Sequence, residues 1–119
     1  MKTVLLVDDD PVFSELAARF LASRGYDVAS VPTTTAALDV LESARRIDLA
    51  VVDIMMPPGH PHGVALAAMV RLRRIGCPVI LVTGARDEVQ RYVTDDLAIV
   101  DKPVDFEALH VAIKAQLGE

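Results

Sequence analysis

The chain has 119 residues, the length of one ordinary domain, and 52% of them are hydrophobic, which argues against an intrinsically disordered protein. A formal net charge of −5 argues against a nucleic acid or an anionic membrane as the main partner. A single cysteine, Cys77, excludes an intramolecular disulfide, and no apolar run approaches the roughly 18 residues of a membrane span. These features predict a soluble cytoplasmic protein in which residues 1–119 form one domain.

The first part of the chain predicts two strands that alternate with two helices. The apolar run 3–7 is the first strand, and the helix after it begins at Pro11 with Asp10 as its N-cap. A second strand is predicted at 27–31, and a second helix begins near Thr33. The buried stripe of the first helix is predicted to hold five apolar residues at helical spacing: Phe13, Leu16, Ala17, Phe20 and Leu21.

The rest of the chain continues the same alternation. Three apolar runs predict strands, at 49–53, 78–82 and 97–100. A helix is expected from about Gly63 to Ile75, and residues 86–94 predict a weak helix with few apolar anchors. The last helix begins after Pro103, with Asp105 as its N-cap.

Five strand–helix units in succession predict an α/β fold, with a five-stranded parallel sheet between two layers of helices. Several of the strands are apolar throughout, as strands buried on both faces must be. Ligands of such sheets bind at the carboxyl ends of the strands. The residues that end or follow each strand are therefore the candidate site residues.

Four of the predicted strands end in polar or charged side chains. The first strand is followed by Asp8 and Asp9, the third ends in Asp53, the fourth is followed by Thr83, and the fifth leads to Lys102. Three carboxylates at one edge of a sheet form an oxygen-rich site suited to Mg²⁺, with Mn²⁺ as a substitute. A divalent cation, a hydroxyl and an ammonium around one carboxylate can hold a tetrahedral dianion.

This arrangement predicts phosphoryl chemistry at Asp53. Its carboxylate can attack a phosphoryl donor to form an aspartyl phosphate. Mg²⁺ and Lys102 would balance the charge on the phosphoryl oxygens, Thr83 would donate a hydrogen bond to one of them, and Gly84 would leave room for the incoming group.

The same residues stand in the order, and near the spacing, of a known family. Asp8-Asp9, the sequence DIMMP at 53–57, Thr83 followed by a small residue, and Lys102-Pro103 together resemble the receiver domain of two-component response regulators. The resemblance implies a flavodoxin-like doubly wound (βα)5 fold with strand order 2-1-3-4-5. It also implies a cis peptide bond between Lys102 and Pro103.

The resemblance assigns roles to the site residues as well. Asp53 is the expected phosphoacceptor, which receives its phosphoryl group from a histidine kinase or a histidine phosphotransfer protein. Asp9 is the expected main acidic metal ligand, Asp8 assists partly through water, and the backbone carbonyl of Met55 is a third ligand. Signalling to a downstream protein then proceeds by conformational change or phosphorelay. Self-phosphorylation and slow self-dephosphorylation are the only reactions expected of the domain itself.

Three departures from the family pattern concern the switch and the loops. The switch-related residues expected here are Thr83, Gly84, Ile99 and Pro103, and Ile99 stands where the family usually has an aromatic ring. The loop that contains PGHPH at 58–62 is about two residues longer than usual, and the stretch from Thr83 to Lys102 is a few residues shorter.

Two alternatives remain open at this point. A pseudo-receiver would bind protein partners without taking a phosphoryl group. The missing aromatic and the altered loops favour that interpretation, and the intact acceptor, acids, threonine and lysine oppose it. A flavodoxin-like cofactor protein would need a phosphate-binding loop after the first strand, whereas DDDP at 8–11 repels phosphate in the absence of a metal. The sequence is compatible with a stand-alone receiver and with a segment of a longer protein.

Overall fold

A parallel five-stranded sheet forms the centre of the protein. The structure is a computed structural model that describes residues 1–54, 63–84 and 97–119. The strands, in chain order, are β1 (Thr3–Val7), β2 (Asp27–Val31), β3 (Leu49–Asp53), β4 (Val79–Thr83) and β5 (Ala98–Asp101). They pair in the order β2-β1-β3-β4-β5, which confirms the predicted order. β4 and β5 each begin and end one residue later than the sequence predicts.

Four helices are present within the described ranges: α1 (Pro11–Ser23), α2 (Thr34–Glu42), α3 (Gly63–Arg73) and α4 (Phe106–Leu117). The N-caps predicted at Asp10 and Asp105 are confirmed, because both side chains accept hydrogen bonds from backbone N–H groups of the first turn. Thr33, near which the second helix was predicted to begin, caps α2 in the same way. The weak helix predicted at 86–94 lies outside the described residues. None of the four helices is long and apolar enough to cross a bilayer.

The sheet is covered on both faces, which explains why the interiors of its central strands are apolar. Successive side chains of a strand point to opposite faces. In β1, Leu5 and Val7 join a core with α2 and α3, whereas Val4 and Leu6 join a second core with α1 and α4. Strands buried in this way are apolar except at their ends, where β3 and β4 carry the buried polar residues Asp53 and Thr83.

Ring contacts join α1 to α4 on the second face. Phe106 stacks on Phe20, with ring centroids 5.5 Å apart, and lies 5.9 Å from Phe13. Arg24 forms an ion pair with Glu107, and its guanidinium lies over the ring of Phe20. These contacts therefore join the first turn of the last helix to α1.

Two helix predictions need correction. Leu16 is 52% exposed and does not belong to the buried stripe of α1. Ala17 and Leu21 form the buried line of that helix, and Leu16 lies about 100° around the axis from Ala17. α3 ends at Arg73 and does not reach Ile75, which is 94% exposed and contributes nothing to the core.

Candidate functional site

Three carboxylates meet at the carboxyl ends of β1 and β3. These strands are parallel neighbours, with Val7 opposite Val52, so the residues that follow Val7 lie beside Asp53 at the end of β3. One carboxylate oxygen from each of Asp8, Asp9 and Asp53 lies within 4.8 Å of the others. Asp8 and Asp53 are 2% and 3% exposed, whereas Asp9 faces solvent. The structure thus brings together the three acids that the sequence singled out.

Lys102 supplies the positive charge of this cluster. It follows β5, and its Nζ lies 3.0 Å from Asp53 Oδ2 and 4.0 Å from Asp8 Oδ2. Its backbone N–H donates to the carbonyl of Thr83 at 2.9 Å, which joins the ends of β4 and β5. The predicted cis peptide between Lys102 and Pro103 is confirmed.

The surroundings of Asp8 disfavour its ionised form. Its Oδ1 accepts a hydrogen bond from the Asp10 N–H at 2.8 Å, but its buried Oδ2 accepts none from the described residues. Burial is the main reason why the pKa of Asp8 is raised to about 6; the Asp10 N–H opposes the increase, and the charge of Asp53 adds to it.

A divalent cation fits this set of groups. The donors are carboxylate oxygens, which Mg²⁺ prefers, and one of them is a buried oxygen that lacks a hydrogen-bond donor within the described part of the chain. A cation bound among Asp8, Asp9 and Asp53 would complete the coordination of that oxygen and balance the acids. Asp10 belongs to a different structure, because its carboxylate caps α1 through Val12 N and Phe13 N.

The other site residues predicted from the sequence lie around this cluster. Thr83 is the last residue of β4 and is fully buried, opposite Asp101 of β5. Gly84 is exposed, and a methyl group added there would lie 3.8 Å from Lys102 Cβ, an ordinary contact. Ile99 is half-buried against the core on the α2–α3 face.

The sequence alone did not identify two neighbours of the cluster. The ring of Phe13 lies 6.0 Å from Lys102 Nζ, and Ser14 Oγ donates to the backbone carbonyl of Asp8 at 3.3 Å. Both residues lie in the first turn of α1, which begins at the acidic edge of the sheet. Their position just after the three acids could have indicated that they lie near the site, but the sequence pattern placed Phe13 only in the core and indicated no role for Ser14.

Some predictions concern residues that the structure does not describe. The backbone carbonyl of Met55, expected as a metal ligand, lies outside the described ranges. So does the loop that contains PGHPH at 58–62.

Comparison with known proteins gives a consistent result. A sequence profile of the response regulator receiver domain matches residues 4–114. The heme response regulator HssR of Staphylococcus saprophyticus is 32% identical over 120 residues, and the transcriptional regulatory protein GlrR of Escherichia coli is 34% identical over 119 residues. Each alignment covers 98% of this chain, yet only 52% of HssR and 26% of GlrR, so this chain spans about half and about a quarter of their lengths.

A solved structure extends the likeness to three dimensions. A CheY-like response regulator receiver domain protein from Methanospirillum hungatei is 28% identical and superposes with a TM-score of 0.84. The match covers 99% of this chain and 94% of that one. The chain therefore belongs to the receiver domain family of two-component response regulators.

Proposed function

We propose that this receiver domain takes a phosphoryl group onto Asp53. The observation that supports the proposal most strongly is the position of the Asp53 carboxylate. It is almost completely buried at the sheet edge, 3.0 Å from the Lys102 ammonium and within 4.8 Å of the Asp8 and Asp9 carboxylates. The Lys102 ammonium offsets the negative charge of this carboxylate, and the Asp8 and Asp9 carboxylates beside it can bind a cation together with it.

The proposed reaction transfers a phosphoryl group from a phosphohistidine. One oxygen of the Asp53 carboxylate forms a bond to phosphorus, and the phosphorus–nitrogen bond of the donor breaks. The electron pair of that bond goes to the imidazole nitrogen, which leaves in line and then takes a proton from solvent. Lys102 and Thr83 are the groups of this chain that we assign to the phosphoryl oxygens, as charge partner and hydrogen-bond donor.

We assign Asp8, Asp9 and Asp53 to a bound Mg²⁺, with the Met55 carbonyl as a further ligand from the resemblance to the family. When bound, Mg²⁺ supplies positive charge near the phosphoryl oxygens. Asp8 is the positioning acid of this set, because its Oδ1 is already held by the Asp10 N–H.

The proposal extends to the whole domain and its partners. Residues 1–119 act as one receiver domain in the cytoplasm, with a histidine kinase or a histidine phosphotransfer protein as donor and a downstream protein as target. The domain has no separate substrate. Its own reactions are self-phosphorylation from a small donor and slow self-hydrolysis. The hydrolysis is proposed to be slow because Met55 and Ala85, the side chains expected beside the attacking water, cannot orient it.

Intact-protein mass spectrometry after incubation with acetyl phosphate and Mg²⁺ tests the proposal. We expect one added phosphoryl group in the wild-type protein and none in Asp53→Asn. The matched control is Asp10→Asn, which changes an acid of the same DDD sequence that caps α1 and lies outside the cluster. It should be phosphorylated as the wild type is.

Two results would contradict the proposal. Phosphorylation of Asp53→Asn would place the acceptor at another residue. Failure of the wild-type protein to bind beryllofluoride in the presence of Mg²⁺ would favour the pseudo-receiver, a protein-binding module that takes no phosphoryl group.

A further inference from the structure

A second concave site lies at the end of the sheet opposite the acidic cluster. It is a groove of about 540 Å³, within the size range of small-molecule sites. Three of its lining residues precede strands: Lys2 precedes β1, Tyr26 precedes β2 and Arg46 precedes β3. Two more belong to the helices, since Arg24 follows α1 and Lys114 lies in the last turn of α4. A strand of five residues spans roughly 16 Å, so the groove and the acids are separated by about that distance.

Cationic side chains outnumber acidic ones in the lining of this groove, although the net charge of the protein is −5. Four of its lining side chains carry full positive charges, Lys2, Arg24, Arg46 and Lys114, against one carboxylate side chain, Glu119. We call this set the basic groove.

Two of the four cations of the basic groove lie outside the ion pairs of the described residues, although the charge of Lys2 helps to lower the pKa of Asp48. Arg24 pairs with Glu107, and Arg46 pairs with Asp48 at 2.9 Å. Lys2 and Lys114 form no ion pair with any residue in the described ranges. Two ammonium groups and the outer sides of two guanidinium groups are therefore available to an anion.

The floor of the basic groove is held in place by aromatic contacts. Tyr26 is 7% exposed, and its hydroxyl donates to Glu119 Oε1 at 3.2 Å. The ring of His110 meets Tyr26 edge-on, with centroids 5.5 Å apart, and also contacts Phe20. The cationic side chains thus surround a packed floor.

We propose that the basic groove binds a small molecule that carries a di- or triphosphate group. One exposed ion pair changes an affinity by only about threefold, so a monoanion would gain little here. A ligand with several adjacent charges engages several cations at once, and guanidinium and ammonium groups are both suited to phosphate oxygens. Inorganic polyphosphate and nucleoside polyphosphates share this chemistry. The proposal does not depend on phosphorylation of Asp53.

NMR titration of the full chain with tripolyphosphate, ATP, AMP and orthophosphate tests the proposal. The titration is done in EDTA, because a metal would bind the probes and would also allow phosphate to approach the acidic cluster. We expect saturable shifts at the amides of Gly25, Tyr26 and His110. Tripolyphosphate and ATP should bind within about threefold of each other, and AMP and orthophosphate at least tenfold more weakly. Added NaCl should weaken binding.

Variants separate the basic groove from non-specific charge effects. The double variant Lys2→Gln/Lys114→Gln should bind tripolyphosphate about tenfold more weakly, and Glu119→Gln about threefold more tightly. The matched control is Arg19→Gln, an exposed arginine of α1 that does not line the groove. It should bind as the wild type does.

Four outcomes would overturn the proposal. The first is the absence of saturable shifts at the groove amides with tripolyphosphate. The second is an unchanged affinity in the double lysine variant. The third is loss of tripolyphosphate binding in Lys102→Gln, which would place the anion beside the cation of the acidic edge. AMP binding as tight as ATP binding would also exclude recognition through the phosphate chain.

Discussion

At the scale of single residues, Asp8 is a carboxylate whose burial in the folded protein disfavours its ionised form. It is buried beside two other acids, and its Oδ2 has no hydrogen-bond donor among the residues that the structure describes. Its folded pKa of about 6 lies above the ordinary value of 3.8 because burial penalises the carboxylate. Ionisation of Asp8 therefore costs the metal-free protein part of its stability.

The sign of this effect sets a pH prediction for Asp8→Asn in EDTA. Well below its ordinary pKa of 3.8, Asp8 is protonated in both the folded and the unfolded state and carries no penalty. Between about pH 4 and 6 the unfolded chain releases this proton first, so the contribution of Asp8 to the free energy of unfolding falls as pH rises. Above pH 6 the penalty stays constant, at about 2–3 kcal/mol.

Urea unfolding at pH 4 and pH 7.5 measures this difference. Asp8→Asn cannot ionise and still accepts from the Asp10 N–H, so it should lie within about 1 kcal/mol of the wild type at pH 4 and exceed it by about 1–3 kcal/mol at pH 7.5. Asp10→Asn, which replaces one good N-cap by another, should show no such gain. A stability difference for Asp8→Asn that does not change with pH would contradict this account.

At the scale of elements, Arg74 joins α3 to the end of α2. Its guanidinium donates to four backbone carbonyls at and after the last turn of α2, at distances between 2.8 and 3.4 Å, which are those of Val40, Leu41, Ser43 and Arg45. The last carbonyls of a helix have no partner within the helix. Ser43 is the C-cap of α2, and Arg74, which follows α3, adds hydrogen bonds to the carbonyls at this helix end.

Substitution of Arg74 should therefore destabilise the α2–α3 face. We expect Arg74→Ala to lower the free energy of unfolding by about 2–3 kcal/mol, because several charge-assisted hydrogen bonds are lost together. Arg74→Lys should recover only part of this, since an ammonium cannot reach four carbonyls. Hydrogen exchange should become faster in the last turn of α2.

The adjacent Arg73 is the matched control. It forms a solvent-exposed ion pair with Glu42 at 3.3 Å, a type of contact that contributes little. Arg73→Ala should cost less than about 1 kcal/mol. Equal losses for the two arginines would show that the four carbonyl contacts do not set the stability of this face.

At the scale of the whole molecule, the fold was predictable because its signals are local. The apolar runs of β1 and β3 and the caps at Asp10 and Asp105 stand at the positions that the sequence predicted. The acids could be grouped because parallel strands end at one edge of a sheet. Strand order came from the family resemblance, since apolar patterning does not fix it.

What the sequence did not predict depends on contacts between distant segments. Arg74 and Leu41 are 33 residues apart, and the basic groove joins residues from both ends of the chain. Leu16 fits a helical stripe by spacing alone, and its exposure follows from where α4 covers α1. Such features arise from the way helices and strands pack together. The spacing of apolar residues along one element does not predict that packing.

Stability of the whole domain should respond to Mg²⁺ through the acidic cluster. A ligand that binds only the folded state stabilises it, by about 1.4 kcal/mol at ten times its dissociation constant. For a domain of this size that corresponds to a rise of roughly 5 °C in Tm. Differential scanning fluorimetry across a Mg²⁺ series, with NaCl added to equal ionic strength, separates site binding from general screening of the net negative charge.

Two acid variants should respond in opposite ways in this assay. Asp9 is exposed, so Asp9→Ala should keep the Tm of the metal-free protein and lose the increase with Mg²⁺. Asp10 caps α1, so Asp10→Ala should lower the metal-free stability by about 1 kcal/mol and keep the increase. If Asp9→Ala kept the full response, the cation would not be bound by the acidic cluster, because its most accessible ligand would then be dispensable.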